Sequence, residues 1–221
     1  MNRALLATLA LAAACDGPGP PPSASLPWIR GLDAATVGDT PTAATAERIS
    51  GLLHTPADDD YGGLTLRADL TGDARAETVL ASYQLGIAVT DAAGRLLARA
   101  PGLDASGSAD ELLAVAVGDG QLGTPVILVA AQTGGHRTSA ISLSIYRMAG
   151  GRALQRLFSA PIELHDGSTI QAGSLSFIPG GLLYRAPDAA SATRWTFNAR
   201  RGRYEHRDDL PPQTPVGSPG A

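Results

Sequence analysis

The chain is poor in the residues that make several common functions easy to detect. Its 221 residues include one cysteine, three phenylalanines and two tryptophans, and arginine supplies all 17 of the Lys and Arg positions. With a single cysteine no intrachain disulfide can form, so folding must rest on a hydrophobic core. The formal net charge is -4, and the one short basic cluster is Arg200, Arg201 and Arg203. The electrostatic footprint of a nucleic-acid-binding protein is therefore missing.

Motifs for zinc and hydrolase chemistry are missing as well. The four histidines are scattered without the H-x-x-x-H or H-E-x-x-H spacing that binds zinc. No G-x-S-x-G motif is present, so the nucleophile elbow of α/β-hydrolases is excluded. Aromatic residues make up 5% of the chain, which argues against a broad carbohydrate-stacking surface, although Trp28 and Trp195 leave room for a small one. We therefore expect a protein that is not an enzyme.

The one cysteine ends the first apolar run of the chain. Arg3 gives this terminus a positive charge, and the residues from Ala4 to Ala14 are mostly apolar and small, as in a secretory signal peptide. At 1.5 Å per helical residue this run spans about 16 Å, too short for a hydrocarbon core of about 30 Å. The block Ala12-Ala13-Ala14-Cys15 resembles a bacterial lipobox.

That resemblance implies that Cys15 is the lipidated first residue of a mature lipoprotein, with a palmitate-type acyl chain. Several acyl chains give stable anchoring, so the protein is expected on the bacterial cell envelope, held at a membrane on the periplasmic or surface side. Two alternatives stay open. Cys15 is either an ordinary thiol just inside a protein cut by the general signal peptidase, or an unreactive cysteine of the apolar segment itself.

Composition divides the chain into four parts. We predict a signal peptide at 1–14, a lipidated Gly/Pro-rich tether at 15–27, a mostly β domain at 28–209 and a disordered tail at 210–221. The tether and the tail are rich in proline and small residues, and they have little apolar surface to bury. A domain of about 180 residues is long enough to build a core without disulfides.

One helix and about a dozen strands are predicted within the domain. Thr42–Leu53 carries good helix formers with apolar residues at helical spacing. After Tyr61, short apolar or alternating runs are separated by Gly, Asp, Asn and Pro, and hairpin signals lie at Asp91–Gly94, Ala149–Gly151 and Pro179–Gly181. The predicted strands are Leu64–Ala68, Thr78–Tyr83, Ile87–Thr90, Leu96–Ala100, Leu112–Val117, Val126–Ala131, Ile141–Arg147, Leu154–Ser159, Leu175–Ile178, Leu182–Arg185, Arg194–Asn198 and Tyr204–Arg207. The expected fold class is all-β, with antiparallel meanders in a propeller-like arrangement or a stack of small sheets, and one short N-terminal helix.

The segment Asp69–Glu77 is the candidate metal site. Side chains with oxygen atoms fall at positions 1, 3, 5 and 9 of this loop, and position 7 can offer its backbone carbonyl; the residues are Asp69, Thr71, Asp73, Arg75 and Glu77. Calcium takes about six to eight oxygen ligands, which such a loop can supply. The alternative is a polar turn in which the first three side chains bond nearby backbone amides.

Together with the strands that flank it, this loop resembles the D-x-[DNT]-G-D-x-x-x-[DE] signature of FG-GAP or VCBS repeats. Those repeats form the blades of integrin-like β-propellers, so the resemblance implies calcium as a cofactor and repeat-like units at about 64–100 and 112–150. Ala74 stands where the family usually has Gly, and an alanine is costlier to place at positive φ. The second unit keeps Asp119 almost alone among its acidic residues, which predicts a blade without metal.

We thus expect a membrane-anchored envelope lipoprotein that acts as a binding or structural module. Its partners are the membrane, through the lipid anchor, and either another envelope protein or a second copy of the chain, with no nucleic acid. The alternative is an envelope hydrolase that uses Asp58–Asp60, Asp69 and Asp73. Hydrolysis of that kind requires two carboxylates facing each other across a cleft at about 5 to 9.5 Å.

Overall fold

The computed structural model describes residues 26–38, 42–56, 62–102, 111–135, 138–150 and 153–206. The predicted signal peptide, Cys15, most of the tether, Asp58–Asp60 and the tail lie outside these residues. In chain order the elements are β1 (Ile29–Arg30), β2 (Asp33–Gly38), α1 (Ala43–Leu53), β3 (Gly63–Ala68), β4 (Glu77–Ser82), β5 (Gly86–Thr90), β6 (Leu96–Ala100), β7 (Glu111–Asp119), β8 (Pro125–Gly134), β9 (Thr138–Met148), β10 (Leu154–Asp166), β11 (Thr169–Ala172), β12 (Ser174–Ile178), β13 (Gly181–Arg185), β14 (Thr193–Asn198) and β15 (Arg203–His206).

The strands form three sheets, so the predicted all-β class with one short helix is confirmed. The sheet orders are β3-β4-β5-β6, then β11-β10-β9-β8-β7-β2, and β1-β12-β13-β14-β15. All neighbours are antiparallel except β1 and β12, which pair in parallel. Each of the twelve predicted strands is present among the described residues, and the predicted turns at Asp91–Gly94 and Pro179–Gly181 join β5 to β6 and β12 to β13. Strands β9 and β10 pair antiparallel on either side of the third predicted turn, whose Gly151 lies outside the described residues.

Helix α1 begins where its sequence supplies a cap. The Thr42 hydroxyl accepts a hydrogen bond from the Thr45 backbone N–H at 3.3 Å, which satisfies one free donor of the first turn. The helix ends at His54, which adopts a left-handed conformation with φ of 54°. Ile49 is fully buried in a cluster with Leu80 and Ala88, so the helix covers one face of the four-stranded sheet.

The six-stranded sheet is the central layer of the domain. One of its faces, represented by Val115, Val117 and Val129, packs against Val79 and Val89 of the four-stranded sheet. Its other face packs against the five-stranded sheet; the buried residues there include Ala116, Leu128, Leu143, Leu175 and Leu182. The layers therefore run helix, four-stranded sheet, six-stranded sheet and five-stranded sheet. Burial on both faces is why the strand sequences read as continuous apolar runs.

Strand β10 is irregular at two points, and the first of them shapes the site described below. Its register against β9 shifts between Arg156 and Phe158, so Leu157 and Phe158 both lie in the cluster beneath the five-stranded sheet. Two neighbouring residues of a regular strand would point to opposite faces. The second shift follows Pro161, which cannot donate a hydrogen bond to a regular sheet.

Within the described residues, α1 is the single α-helix, and no helix there has the length and apolar content needed to cross a membrane.

Candidate functional site

The loop predicted as a metal site is the connection between β3 and β4. The last pair of this hairpin is Ala68 opposite Glu77, so the intervening residues form one closed polar loop. Both carboxylate oxygens of Asp69 point into it. Oδ1 accepts from the Gly72 N–H at 2.6 Å and the Thr71 N–H at 3.2 Å, and Oδ2 accepts from the Ala74 N–H at 2.8 Å. Asp69 thus holds the loop from inside.

Glu77 closes the loop from its other end. The residue is 4% exposed, and its Oε2 accepts from the buried Leu70 N–H at 2.7 Å. Its Oε1 accepts from the Thr71 hydroxyl at 3.5 Å. Asp73 Oδ1 accepts from the Arg75 N–H at 2.9 Å. The side chains of four of the five predicted ligand residues thus bond within the loop, and Thr71 and Glu77 are the one pair of them that contact each other side chain to side chain.

Two residues of the loop have left-handed backbones. Gly72 has φ of 77° and Ala74 has φ of 64°, so the expectation that Ala74 occupies a position better suited to glycine is confirmed. A residue with a Cβ is strained in this left-handed conformation. The second repeat-like unit contains a simpler version, in which Asp119 Oδ1 accepts from the Gln121 N–H at 2.8 Å and Gln121 has φ of 56°.

The loop also lowers the pKa of Asp69, its first residue. Partial burial raises the pKa of Asp69, but the backbone N–H groups of Gly72, Ala74, Thr71 and Asp73 outweigh it and bring the pKa below its ordinary value. No three Asp, Glu, His or Cys side chains among the described residues form a group that could hold a metal ion. Asp69 and Asp73 make backbone contacts of the kind that the polar-turn alternative describes, whereas the Thr71 hydroxyl bonds the side chain of Glu77. Of the acids in the hydrolase alternative, Asp69 and Asp73 share this one loop, and Asp58–Asp60 lie outside the described residues.

A second candidate site lies where two sheet edges meet. Strand β10 contacts the edge strand β15 of the five-stranded sheet. A cleft of about 470 Å³ opens between the two strands, beside the first register shift of β10. Its lining includes three arginines and three aromatic residues, which are Arg156, Arg201, Arg203, Phe158, Trp195 and Tyr204. We refer to it as the arginine cleft.

Glu205 fixes two of these arginines. It is 8% exposed, and its Oε1 accepts from Arg201 Nη1 at 2.9 Å and from Arg203 Nε at 3.2 Å. Asn198 Nδ2 donates to Oε2 at 2.8 Å. The hydrogen bond from Asn198 and those from the two arginines hold the pKa of Glu205 below its ordinary value. Glu205 therefore stays ionised and keeps two guanidinium groups in place.

The turn before β15 explains how Arg201 reaches this position. Asn198 Oδ1 accepts from the backbone N–H groups of Arg200 and Arg201 at 3.0 and 3.1 Å. Gly202 follows with φ of 64°, and its N–H donates to the Asn198 carbonyl at 2.7 Å. One asparagine thus shapes the turn with its carbonyl oxygens and holds the carboxylate with its amide group.

The aromatic wall of the cleft is rigid. The rings of Phe158 and Trp195 are 5.2 Å apart at 90°, and Tyr184 packs against both with edge contacts. Trp195 is half-buried. This arrangement depends on the shifted register of β10, because the shift turns Phe158 towards the five-stranded sheet.

Tyr204, which also lines the cleft, has a buried hydroxyl. The residue is 3% exposed, and its hydroxyl has no hydrogen-bond partner among the residues that the structure describes. Burial raises its pKa to about 12, although the nearby positive charge of Arg147 acts in the opposite direction. A buried hydroxyl without a partner costs free energy, and buried polar groups are paired in the great majority of cases.

Sequence reasoning found pieces of the arginine cleft without joining them. Arg200, Arg201 and Arg203 stood out as a basic cluster, and Trp195 was named with Trp28 as room for a small stacking surface. No local pattern pointed to Arg156 or to the unpaired hydroxyl of Tyr204.

Comparison of the chain with protein-family models, with curated proteins and with solved structures gave no match.

Proposed function

We propose that this protein is a lipid-anchored module of the bacterial cell envelope that binds its ligand through the β domain. The observation that carries the binding role is the arginine cleft, in which Glu205 holds two guanidinium groups beside a rigid aromatic wall. Concave sites with an apolar lining and a few fixed polar groups are the usual form of a ligand site.

The anchor rests on the short apolar run that ends at Cys15. Cells labelled with a palmitate analogue should mark the wild-type protein, and Cys15→Ser should abolish the mark and release the protein from membranes or stall its processing. Labelling that survives the substitution contradicts the anchor.

We further propose that the loop Asp69–Glu77 binds calcium, with ligands from Asp69, Thr71, Asp73 and Glu77 and from the carbonyl of Arg75. The support is chemical, since every one of these donors is oxygen and three are carboxylates, which suit a hard cation. The sequential order β3-β4-β5-β6 also supports a degenerate FG-GAP or VCBS blade, because the acidic loop joins its first two strands.

Thermal melting tests the calcium proposal. An ion that binds the folded loop stabilises it by mass action, by about 2.7 kcal/mol at roughly one hundred times the dissociation constant. Magnesium should do less, because it demands a tighter octahedral site. Asp73→Ala should remove the calcium response and keep the fold, since the bond it loses is an exposed one to the Arg75 N–H.

A matched control is available in the turn between β5 and β6. Asp91 Oδ1 accepts from the backbone N–H groups of Ala93 and Arg95, each at 2.9 Å. This turn lacks the series of oxygen-bearing side chains that the loop Asp69–Glu77 offers to a cation. Asp91→Ala should therefore leave the calcium response intact. Identical melting curves of the wild type in chelator and in millimolar calcium would overturn the proposal.

A further inference from the structure

We propose that the arginine cleft is a site for an organic anion, in which a carboxylate or phosphate group is joined to an apolar body about the size of one aromatic ring. This inference rests on the proposed function only in treating the β domain as a binding module. Neither the lipid anchor nor the calcium loop enters it.

The first support is the charge of the cleft. Three arginines line it together with one carboxylate, that of Glu205, in a protein whose formal net charge is -4. Glu205 already accepts hydrogen bonds from Asn198 and two of the arginines. Arg156 is exposed and forms no ion pair with any described residue. The planar guanidinium fork suits the two oxygens of a carboxylate or phosphate.

The arginines that Glu205 holds are still available to a ligand. The side chains of Arg201 and Arg203 are 58% and 57% exposed, and each uses one of its side-chain nitrogen atoms for the carboxylate. Because their positions are already fixed, binding an anion costs little further side-chain entropy. The cleft is thus pre-organised for negative charge.

The second support is the size and lining of the cleft. A volume of about 470 Å³ lies within the range of about 300 to 1,000 Å³ typical of small-molecule sites. Leu157, Phe158 and Trp195 line it beside the arginines. An inorganic ion would leave this apolar wall in contact with water, whereas a ligand with a ring would cover it.

Isothermal titration of the full-length protein in detergent micelles tests the inference with phenyl phosphate and benzoate as probes. Both should bind, and benzyl alcohol, which has the ring without the charge, should bind at least tenfold more weakly. Inorganic phosphate, which has the charge without the ring, should also bind more weakly than phenyl phosphate. Absence of binding by both anions at millimolar concentration overturns the inference.

Single substitutions locate the binding. Arg156→Gln should weaken phenyl phosphate about tenfold, because a charged hydrogen bond is lost. Arg194→Gln is the matched control, since Arg194 is an exposed arginine of β14 that does not line the cleft, and it should leave the affinity unchanged. Equal effects of the two variants would overturn the location.

A phosphate group in the envelope can come from a soluble metabolite or from a phospholipid headgroup, and glycerol 1-phosphate distinguishes them. It carries the phosphate without the ring. Affinity several-fold below that of phenyl phosphate supports a soluble ligand with an apolar body. Equal affinity assigns the site to headgroup chemistry and overturns the apolar part of the inference. Loss of membrane anchoring or of the calcium response would leave all these affinities unchanged, so the proposals fail separately.

Discussion

The acidic loop and the arginine cleft are both polar regions at the ends of strands, and they treat their polar groups in opposite ways. In the loop, the carboxylates of Asp69, Asp73 and Glu77 accept hydrogen bonds from backbone groups within nine residues of sequence. In the cleft, Arg156 is exposed and has no ionic partner among the described residues, and the side chains of Arg201 and Arg203 are more than half exposed, each using one nitrogen atom for Glu205.

The two regions differ in how many of their hydrogen-bonding groups are already paired within the protein. A loop whose side chains bond its own backbone has used much of that capacity on its shape. A cleft whose guanidinium groups keep exposed donors has hydrogen-bonding capacity left for a ligand. The proposed calcium ion would therefore bind a loop that is already bonded internally, whereas the proposed anion would take up donors that the cleft leaves exposed.

The largest effect on stability is expected at Glu77, the buried carboxylate of the loop. Glu77→Ala removes the acceptor of the buried Leu70 N–H and leaves a small cavity, so it should lower the free energy of unfolding by about 3 kcal/mol in denaturant titration. Glu205→Ala should cost less, because it frees exposed guanidinium groups that water can solvate. A larger loss for Glu205→Ala would contradict the contrast between the two regions.

A smaller effect on the free energy of unfolding is expected at Ala74. Because Ala74 has φ of 64°, Ala74→Gly should relieve backbone strain and raise the free energy of unfolding by about 1 kcal/mol. Ala93→Gly is the matched control, since Ala93 is an exposed turn residue whose own φ is not positive, and there the added chain entropy should slightly destabilise the fold. Stabilisation by both substitutions, or by neither, in the same titration would contradict this explanation.

The smallest expected effect is shared by the two regions and depends on pH. Asp69 and Glu205 both have pKa values below their ordinary range, so the folded state binds their protons less readily than the unfolded state. The stability they contribute is present above about pH 4 and is lost as the pH falls through the lower folded values. Asp69→Asn should flatten this loss when unfolding is measured between pH 5 and pH 2.

Glu47→Gln provides the control for that measurement, since Glu47 is an exposed residue of α1 without a hydrogen bond or ion pair to a described residue. It should leave the acid dependence as it is in the wild type. An equal flattening in both variants would mean that general charge, and not the bonds inside the loop, governs the acid response.

Individual strands show which parts of the fold local sequence could predict. Strands β4, β5 and β8 are continuous runs of apolar and small residues between turn residues, and that signal was sufficient to locate them. Strands β1, β2 and β11 escaped prediction. β1 has two residues and β11 is exposed throughout, so neither carries an apolar period, and both exist because a neighbouring edge offers hydrogen bonds.

The sequence by itself determined the helix with its Thr42 cap, twelve of the strands and the strained loop position of Ala74, because each of these depends on residues within a few positions of one another. The proposed anchor at Cys15 likewise rests on a local motif. Only the tertiary structure decided the layer order and the arginine cleft. The cleft needs the register shift of β10 to meet the edge of β15, and the free energy that joins them comes from burying side chains distant in sequence, which no local pattern records.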